Sequence, residues 1–197
     1  MRYEKGRKDA SRRRIMAAAA HRFRKDGIAA SGLADIMSDA GLTNGAFYPH
    51  FPSKAALVRE SVGAALEDQA NRLREILATG GLQGFIDAYL SPEHRDNPAK
   101  GCAAAALLPE IARQPSQTRR FCAERLLPVV RQIAAALPPR TSDPEGVALG
   151  VYTILVGTLQ LARAVKGTSS SDRVLAAGAD AARALLRQPV AAARASS

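Results

Sequence analysis

Within the twelve residues from Thr43 to Lys54, the side chains of Thr43, Asn44, Tyr48, His50 and Lys54 can each donate hydrogen bonds, and none of the residues between them is acidic. Hydroxyl, amide, imidazole and ammonium donors of this kind suit phosphate oxygens and the edges of nucleic-acid bases. Gly45 lets the backbone come close to such a partner, and Pro49 completes the exposed set.

Donors need a frame. Ser31 to Lys54, SGLADIMSDAGLTNGAFYPHFPSK, reads as a short helix, a glycine turn, a second short helix and a new helix start. Leu33, Ile36, Met37 and Ala40 recur at spacings of three and four and share one face of the first helix, about Leu33 to Ala40. Ser31 is its expected N-cap. Gly41 suits the left-handed residue just past a helix end, and Thr43 can cap the second helix while Leu42 and Phe47 fold back onto the first. That pattern predicts a helix-turn-helix, whose second helix enters the DNA major groove. An αα-hairpin inside an ordinary bundle has the same spacing.

A resemblance separates the two. AGLTNGAFYPHFPSKAAL, preceded by RRRIMAAAAHRFRKDG, resembles the N-terminal domain of the tetracycline-repressor (TetR) family of bacterial regulators. Ile15, Ala18, Ala19, Phe23 and Gly27 match in the first helix, then Ile36, Ala40, Gly41, Gly45, Tyr48, His50, Phe51, Ser53, Lys54 and Leu57, over roughly Arg12 to Leu57. The resemblance implies that Tyr48, His50 and Lys54 sit on phosphates and that Thr43, Asn44 and Gly45 face the bases. Ala34, where the family often carries a polar or basic side chain, and Pro49, where it has an aromatic or small one, depart from the pattern. The first departure implies a smaller share of the DNA contact for the first helix, the second a shorter recognition helix or a changed base preference.

The 197 residues are 47% hydrophobic, rich in Ala and Leu, with five Phe and four Tyr, which predicts an all-α chain with an aliphatic core. About nine helices are expected, in a DNA-binding domain at 1–52 and a helical ligand-binding and dimerisation domain at 53–197. The net charge is +10, and residues 1–60 hold 12 Lys and Arg against 6 Asp and Glu. A basic surface gains DNA affinity by releasing counterions, although a soluble arginine-rich protein shows the same balance. Residues 1–14 read as a basic arm, of the kind that reaches a minor groove or merely aids solubility. Cys102 and Cys122 have neither metal-ligand spacing nor a disulfide framework, and no apolar leader follows the polar N-terminus, so a reducing, cytoplasmic setting is expected.

Further along, Ser53 should cap a helix running to about Thr79, where Gly80-Gly81 stops it. A cation in its first turn, Lys54, opposes the macrodipole and so points to a partner outside the helix. Leu82 to Leu90 is a short helix. SPEHRDNPAKG, 91–101, reads as a loop whose His94, Glu93 and Asp96 are too weak a signal for a metal site. Glu110, beside Pro109 in an apolar helix, reads as the exposed residue at a kink rather than a buried carboxylate. Kinks at Pro109 and Pro128 predict gaps, and with the resemblance they imply a small-molecule pocket lined by Leu66, Phe85, Tyr89, Cys102, Leu107, Leu108 and Phe121, suited to an apolar or aromatic effector.

Asp143-Pro144-Glu145 is a helix start. The apolar run from Gly146 to Val165 could span a bilayer by length, but Thr153, Thr158, Gln160, Arg163 and two glycines favour burial in protein. This helix and the last one, about Asp172 to Arg187, carry surplus apolar faces expected at a dimer interface through Gly150, Leu155, Gly157, Val174, Gly178, Ala181 and Leu185. The tail from Gln188 reads as disordered.

The expectation is therefore a homodimeric regulator reading a pseudo-palindromic operator with recognition helices about one DNA turn (~34 Å) apart, most simply a repressor released by its ligand. A ligand-independent architectural DNA binder is the alternative. A helical enzyme is disfavoured: no Ser/His/Asp order, phosphate loop or paired carboxylates occur, His21, His50 and His94 lie far apart, and no cofactor or metal is implied.

Overall fold

A computed structural model describes residues 2–187, with side chains from Gly6 onward. Their regular structure is entirely helical, with no strand among them. The order is α1 (Arg2–Asp26), α2 (Leu33–Asp39), a 3-10 turn (Asn44–Ala46), α3 (Lys54–Tyr89), α4 (Pro92–Asp96), a 3-10 turn (Pro98–Lys100), α5 (Ala103–Ala112), α6 (Ser116–Ala135), α7 (Pro144–Ala164) and α8 (Ser170–Leu186). The described residues form two compact units, 2–68 with 98–125, and 69–97 with 126–187.

In the first unit α1 packs against α2, the 98–100 turn and α5. Ile15, Phe23, Ile36, Phe47, Phe51 and Leu57 are all fully buried, each contributing about 1.5–3 kcal/mol of apolar burial. Helix α1 begins at Arg2, so the expected arm is helical. No proline interrupts it, and Asp9 and Arg13 stand at the i,i+4 spacing that supports an isolated helix.

The hydroxyl of Ser31 does not cap α2. It donates to the Gly27 carbonyl at 2.6 Å, and Gly32 is the cap residue. Ser53, in contrast, caps α3 as expected, accepting from Ala56 N at 3.1 Å. The glycine pair stops the first helix as expected: Gly81 is non-helical, with φ 59° and ψ −161°, so α3 is two helices joined at a kink, the second ending at Tyr89.

In the second unit α7 and α8 pack along each other and α4 packs on α7. Asp143 caps α7 by accepting from Gly146 N at 3.0 Å, in a left-handed conformation (φ 49°). Helix α7 is long and apolar enough to cross a membrane by length and composition alone. Seven of its residues are buried, among them Ala148, Val151, Leu155 and Leu159.

The 91–101 stretch is not all loop. Ser91 accepts from His94 N at 3.1 Å and Pro92 takes the first helical position, making α4. Arg163 donates to the carbonyls of His94 and Arg95, and Arg95 reaches Ser171 and Asp172 on α8. The Arg95 hydrogen bond, with a further one from Lys166, holds the Asp96 carboxyl down at about 2. His94 Nδ1–H donates to the Tyr89 carbonyl at 2.7 Å and its ring meets Tyr89 edge-on, so its polar edge serves the fold. The tail from Gln188 lies outside the described residues.

Candidate nucleic-acid interface

The turn between α2 and the donor-rich segment is built by Gly41. At φ +65° it ends α2 in a Schellman motif, with Gly41 N donating to Ser38 O and Leu42 N to Met37 O, both at 2.9 Å. Ile36 and Met37 point inward. On the outer side Arg22 of α1 forks onto Asp39, at 2.5 and 3.0 Å, and that hydrogen bond holds the Asp39 carboxyl below its ordinary range. Ala34 is exposed on α2 and offers no donor.

The donor-rich segment itself is tighter than the expected second α-helix. Asn44–Ala46 is a single 3-10 turn, its rungs running from Ala46 N to Thr43 O and from Phe47 N to Asn44 O. Two more turn bonds, from His50 N and Phe51 N to Phe47 O, carry the chain to α3. The cause lies in the sequence. Gly45 weakens an α-helix entropically, and Pro49 has no N–H to donate to the ladder. Thr43 has the extended backbone of a cap residue but makes no side-chain cap bond, which leaves its hydroxyl outward.

This short segment is rigidly footed. Phe47 and Phe51 are fully buried and stack with centroids 5.7 Å apart. Arg12 of α1 lies over the Phe51 ring, 4.7 Å from its centre, and pairs with Glu60. Between the two anchors, Tyr48 stands 71% exposed, edge-on to Phe47. Thr43, Asn44, Gly45 and Pro49 are exposed as well, and a Cβ at Gly45 would meet nothing within 4 Å. His50 is half-buried. Burial first, then Lys8 and Arg12, push its imidazole below the usual value, and Nδ1 has no hydrogen-bond partner among the described residues.

Lys54 Nζ donates to the Ile28 carbonyl at 3.1 Å. One of its three donors is thereby used inside the fold, and two remain for an external acceptor. All seven residues singled out from the sequence thus fall on or directly after one turn. Two side chains that brace this unit are not legible in the sequence, Arg12 over the Phe51 ring and Glu110 on the α1–α2 connection. Arg12 looked like part of a tail, and Glu110 looked like a solvent-exposed side chain at a kink. Its carboxylate in fact accepts from Ile28 N and Ala29 N.

The expected pocket residues divide between the two units. Leu66, Cys102 and Leu107 are buried, and Leu108 and Phe121 half-buried, in the first; Phe85 and Tyr89 are buried in the second. Two open grooves, of about 470 and 360 Å³, are lined by other residues, Arg14, His21 and Asp39 in one and Ile86, Leu90 and Leu175 in the other.

The expected interface residues also separate. Leu155 and Gly178 are buried within the chain, Gly150 faces Leu185 of α8, and Val174 and Leu185 are half-buried. Gly157 and Ala181 are exposed. The small residues Gly150 and Gly178 let α7 and α8 of one chain approach each other. The open face of α7 instead carries Leu149 and Leu161, 44% and 53% exposed, with Thr153 and Gly157 between them at intervals of four.

A helix, a Schellman turn and a short outward-facing segment anchored by aromatic rings define a helix-turn-helix protein of the all-α class. Residues 15–61 match the family described as bacterial regulatory proteins, tetR family. The match to the TetR family covers that N-terminal stretch, about a quarter of the chain. A curated relative, the HTH-type transcriptional repressor KstR2 of Rhodococcus jostii (strain RHA1), is 36% identical over 105 residues, 53% of this chain and 52% of the relative. The chain therefore matches about half the length of that relative.

Solved structures agree in fold. A TetR transcriptional regulator from Chloroflexus aurantiacus superposes with a TM-score of 0.74 at 22% identity, covering 91% of this chain and 96% of that one. Reduced NemR of E. coli gives 0.70 at 18% identity, covering 85% and 94%.

Proposed function

We propose that the chain is a homodimeric transcriptional regulator that binds a pseudo-palindromic operator through residues 1–52, acts as a repressor in the cytoplasm, and is released by a small apolar or aromatic effector bound within 53–197. The observation that carries the reading is the turn from Thr43 to His50. Its donors and its glycine face outward while Phe47 and Phe51, between and beside them, are fully buried. An ordinary bundle hairpin has no cause to expose a tyrosine beside two buried phenylalanines and to keep the whole face free of acids.

In this reading Tyr48, His50 and the two remaining donors of Lys54 take phosphates, Thr43, Asn44 and Gly45 meet base edges, and Pro49 limits the length of the reading segment. Phosphate contacts supply affinity and register, while base contacts supply preference. The name of the Rhodococcus relative supports repression. An effector would act by binding the DNA-competent and DNA-incompetent states with different affinities. The exposed stripe Leu149–Thr153–Gly157–Leu161 supports pairing of two copies, which a palindromic site requires.

The test is selection from a random duplex library with the full chain, followed by titration at several salt concentrations. A two-fold symmetric enriched site, bound with a steep inverse salt dependence, is the expected result. Failure to enrich any sequence over the starting library overturns the reading.

A further inference from the structure

The α1–α2 connection, residues 27–32, sets where α2 and the reading turn stand, and it is held from outside by charged side chains. Glu110 of α5 brings both carboxylate oxygens to Ile28 N, at 3.1 and 2.9 Å, and one of them to Ala29 N at 3.0 Å. The carbonyl of the same Ile28 accepts from Lys54 at 3.1 Å. One buried residue thus has its donor on an anion and its acceptor on a cation. The approach depends on Gly27, which sits at φ +86° and where a Cβ would stand 2.9 Å from Glu110 Oε1.

A second tie runs beside it, Arg24 Nε donating to the Ala99 carbonyl at 2.7 Å. Both ties come from the 98–125 stretch, which belongs to the same compact unit as the helix-turn-helix. Hydrogen bonds to an ionised acceptor are about twice as strong as neutral ones. Removing that acceptor leaves Ile28 N–H buried without a partner.

We propose that Glu110 is a positioning residue for DNA recognition: from α5 it fixes the α1–α2 connection, and with it the attitude of α2 and the reading turn. This rests on the DNA-binding reading above. It also names a route for regulation, because a displacement of α5 carries with it the carboxylate that holds the connection.

The test compares Glu110→Ala and Glu110→Gln with the unmutated full chain on the duplex that the unmutated chain selects. Affinity should fall about tenfold for Glu110→Ala, the size of losing a charge-assisted bond. The slope of log affinity against log salt should stay unchanged, since no phosphate contact is lost. Glu110→Gln, which keeps one acceptor oxygen, should fall between. Backbone amide exchange should quicken at 28–29 and also across 43–51, a spread that a merely local brace would not produce.

Affinity within about twofold of the unmutated chain, or faster exchange confined to 28–29, overturns the proposal. If Glu110→Ala does not fold, the same two readouts on Glu110→Gln decide. An unmutated chain that selects no duplex overturns the DNA reading and this proposal together, whereas normal binding by the variant removes the proposal alone.

Discussion

The guanidinium of Arg125 lies 3.5 Å from the centre of the Phe121 ring, and Gly63 on α3 leaves that ring its place. A methyl group at position 63 would collide with the ring edge and stand 3.0 Å from Arg125 Cδ. Arg125 is meanwhile tethered to Glu67 at 2.7 Å, so the lid over the ring cannot move freely. Gly63→Ala should destabilise the protein by about 1–3 kcal/mol, as overpacking does. Urea unfolding reads it, and Phe121→Leu in the same background should recover part of the loss.

Gly178 and Thr158 repeat the arrangement between α8 and α7: a Cβ on Gly178 would collide with the threonine side chain. Gly178→Ala should therefore lower the melting temperature. Thr158→Ala in that background should restore part of it, giving a coupling of about 1 kcal/mol in a double-mutant cycle. Strict additivity would show that the two helices are not in close contact there.

The proposed DNA contacts separate by salt dependence. Tyr48→Phe and Lys54→Ala should weaken binding to every duplex alike. Lys54→Ala, which removes a cation, should also lower the salt slope by about one, while Tyr48→Phe, which removes a neutral hydroxyl, should leave it. Asn44→Ala should leave the slope alone and relax preference at one base pair, costing about 1–3 kcal/mol of discrimination. Anisotropy titrations against the selected site and its single-base variants distinguish the two patterns. An unchanged affinity for Tyr48→Phe, or an unchanged slope for Lys54→Ala, would remove that residue from the interface.

Stability should fall as pH drops below neutral. Burial pushes the His94 imidazole below its ordinary 6.5, with Arg163 and Arg72 adding to it, against the opposing hydrogen bond to the Tyr89 carbonyl. Below that value the unfolded chain takes up a proton that the folded chain refuses, so the unfolded state gains as pH falls. Melting curves between about pH 7.5 and 5.5 should show the loss, and His94→Gln should flatten it. His50, shifted in the same direction by burial, accounts for part of the remainder.

Pairing through the open face of α7 predicts that Leu161→Glu, at a 53% exposed position, yields a folded monomer. Sedimentation at micromolar concentration reads the outcome directly. A dimer that survives this change and Leu149→Glu together would place the interface elsewhere.

Local chemistry was legible and long-range chemistry was not. Gly41 announces its left-handed turn because only the chain's own geometry is involved, and Ile36, Met37 and Phe47 are recognisable from periodicity. Asp143-Pro144-Glu145 was read as a helix start, yet Ser91-Pro92-Glu93 carries the same signature and passed as loop, since the polar, proline-containing stretch around it masked the cap. Ser31 misleads in the opposite sense. Its hydroxyl finds the Gly27 carbonyl four residues back, a local competitor that wins over the cap. The shortened reading turn is legible in Pro49, which has no N–H for the ladder, and Gly45 adds to it. Glu110 could not, because its partners lie 81 and 82 residues away and no pattern in the chain links them.

Because the reading turn is footed only by Phe47 and Phe51, its outward residues carry almost no packing duty. Thr43, Asn44, Gly45 and Tyr48 can be exchanged without opening a cavity or burying a charge, so sequence preference and fold stability become separable traits. On the proposed DNA reading, a lineage carrying this scaffold can acquire a new operator by substitutions that leave the melting temperature where it was. Evolvability is thus concentrated in a handful of exposed positions beside a fixed aromatic base.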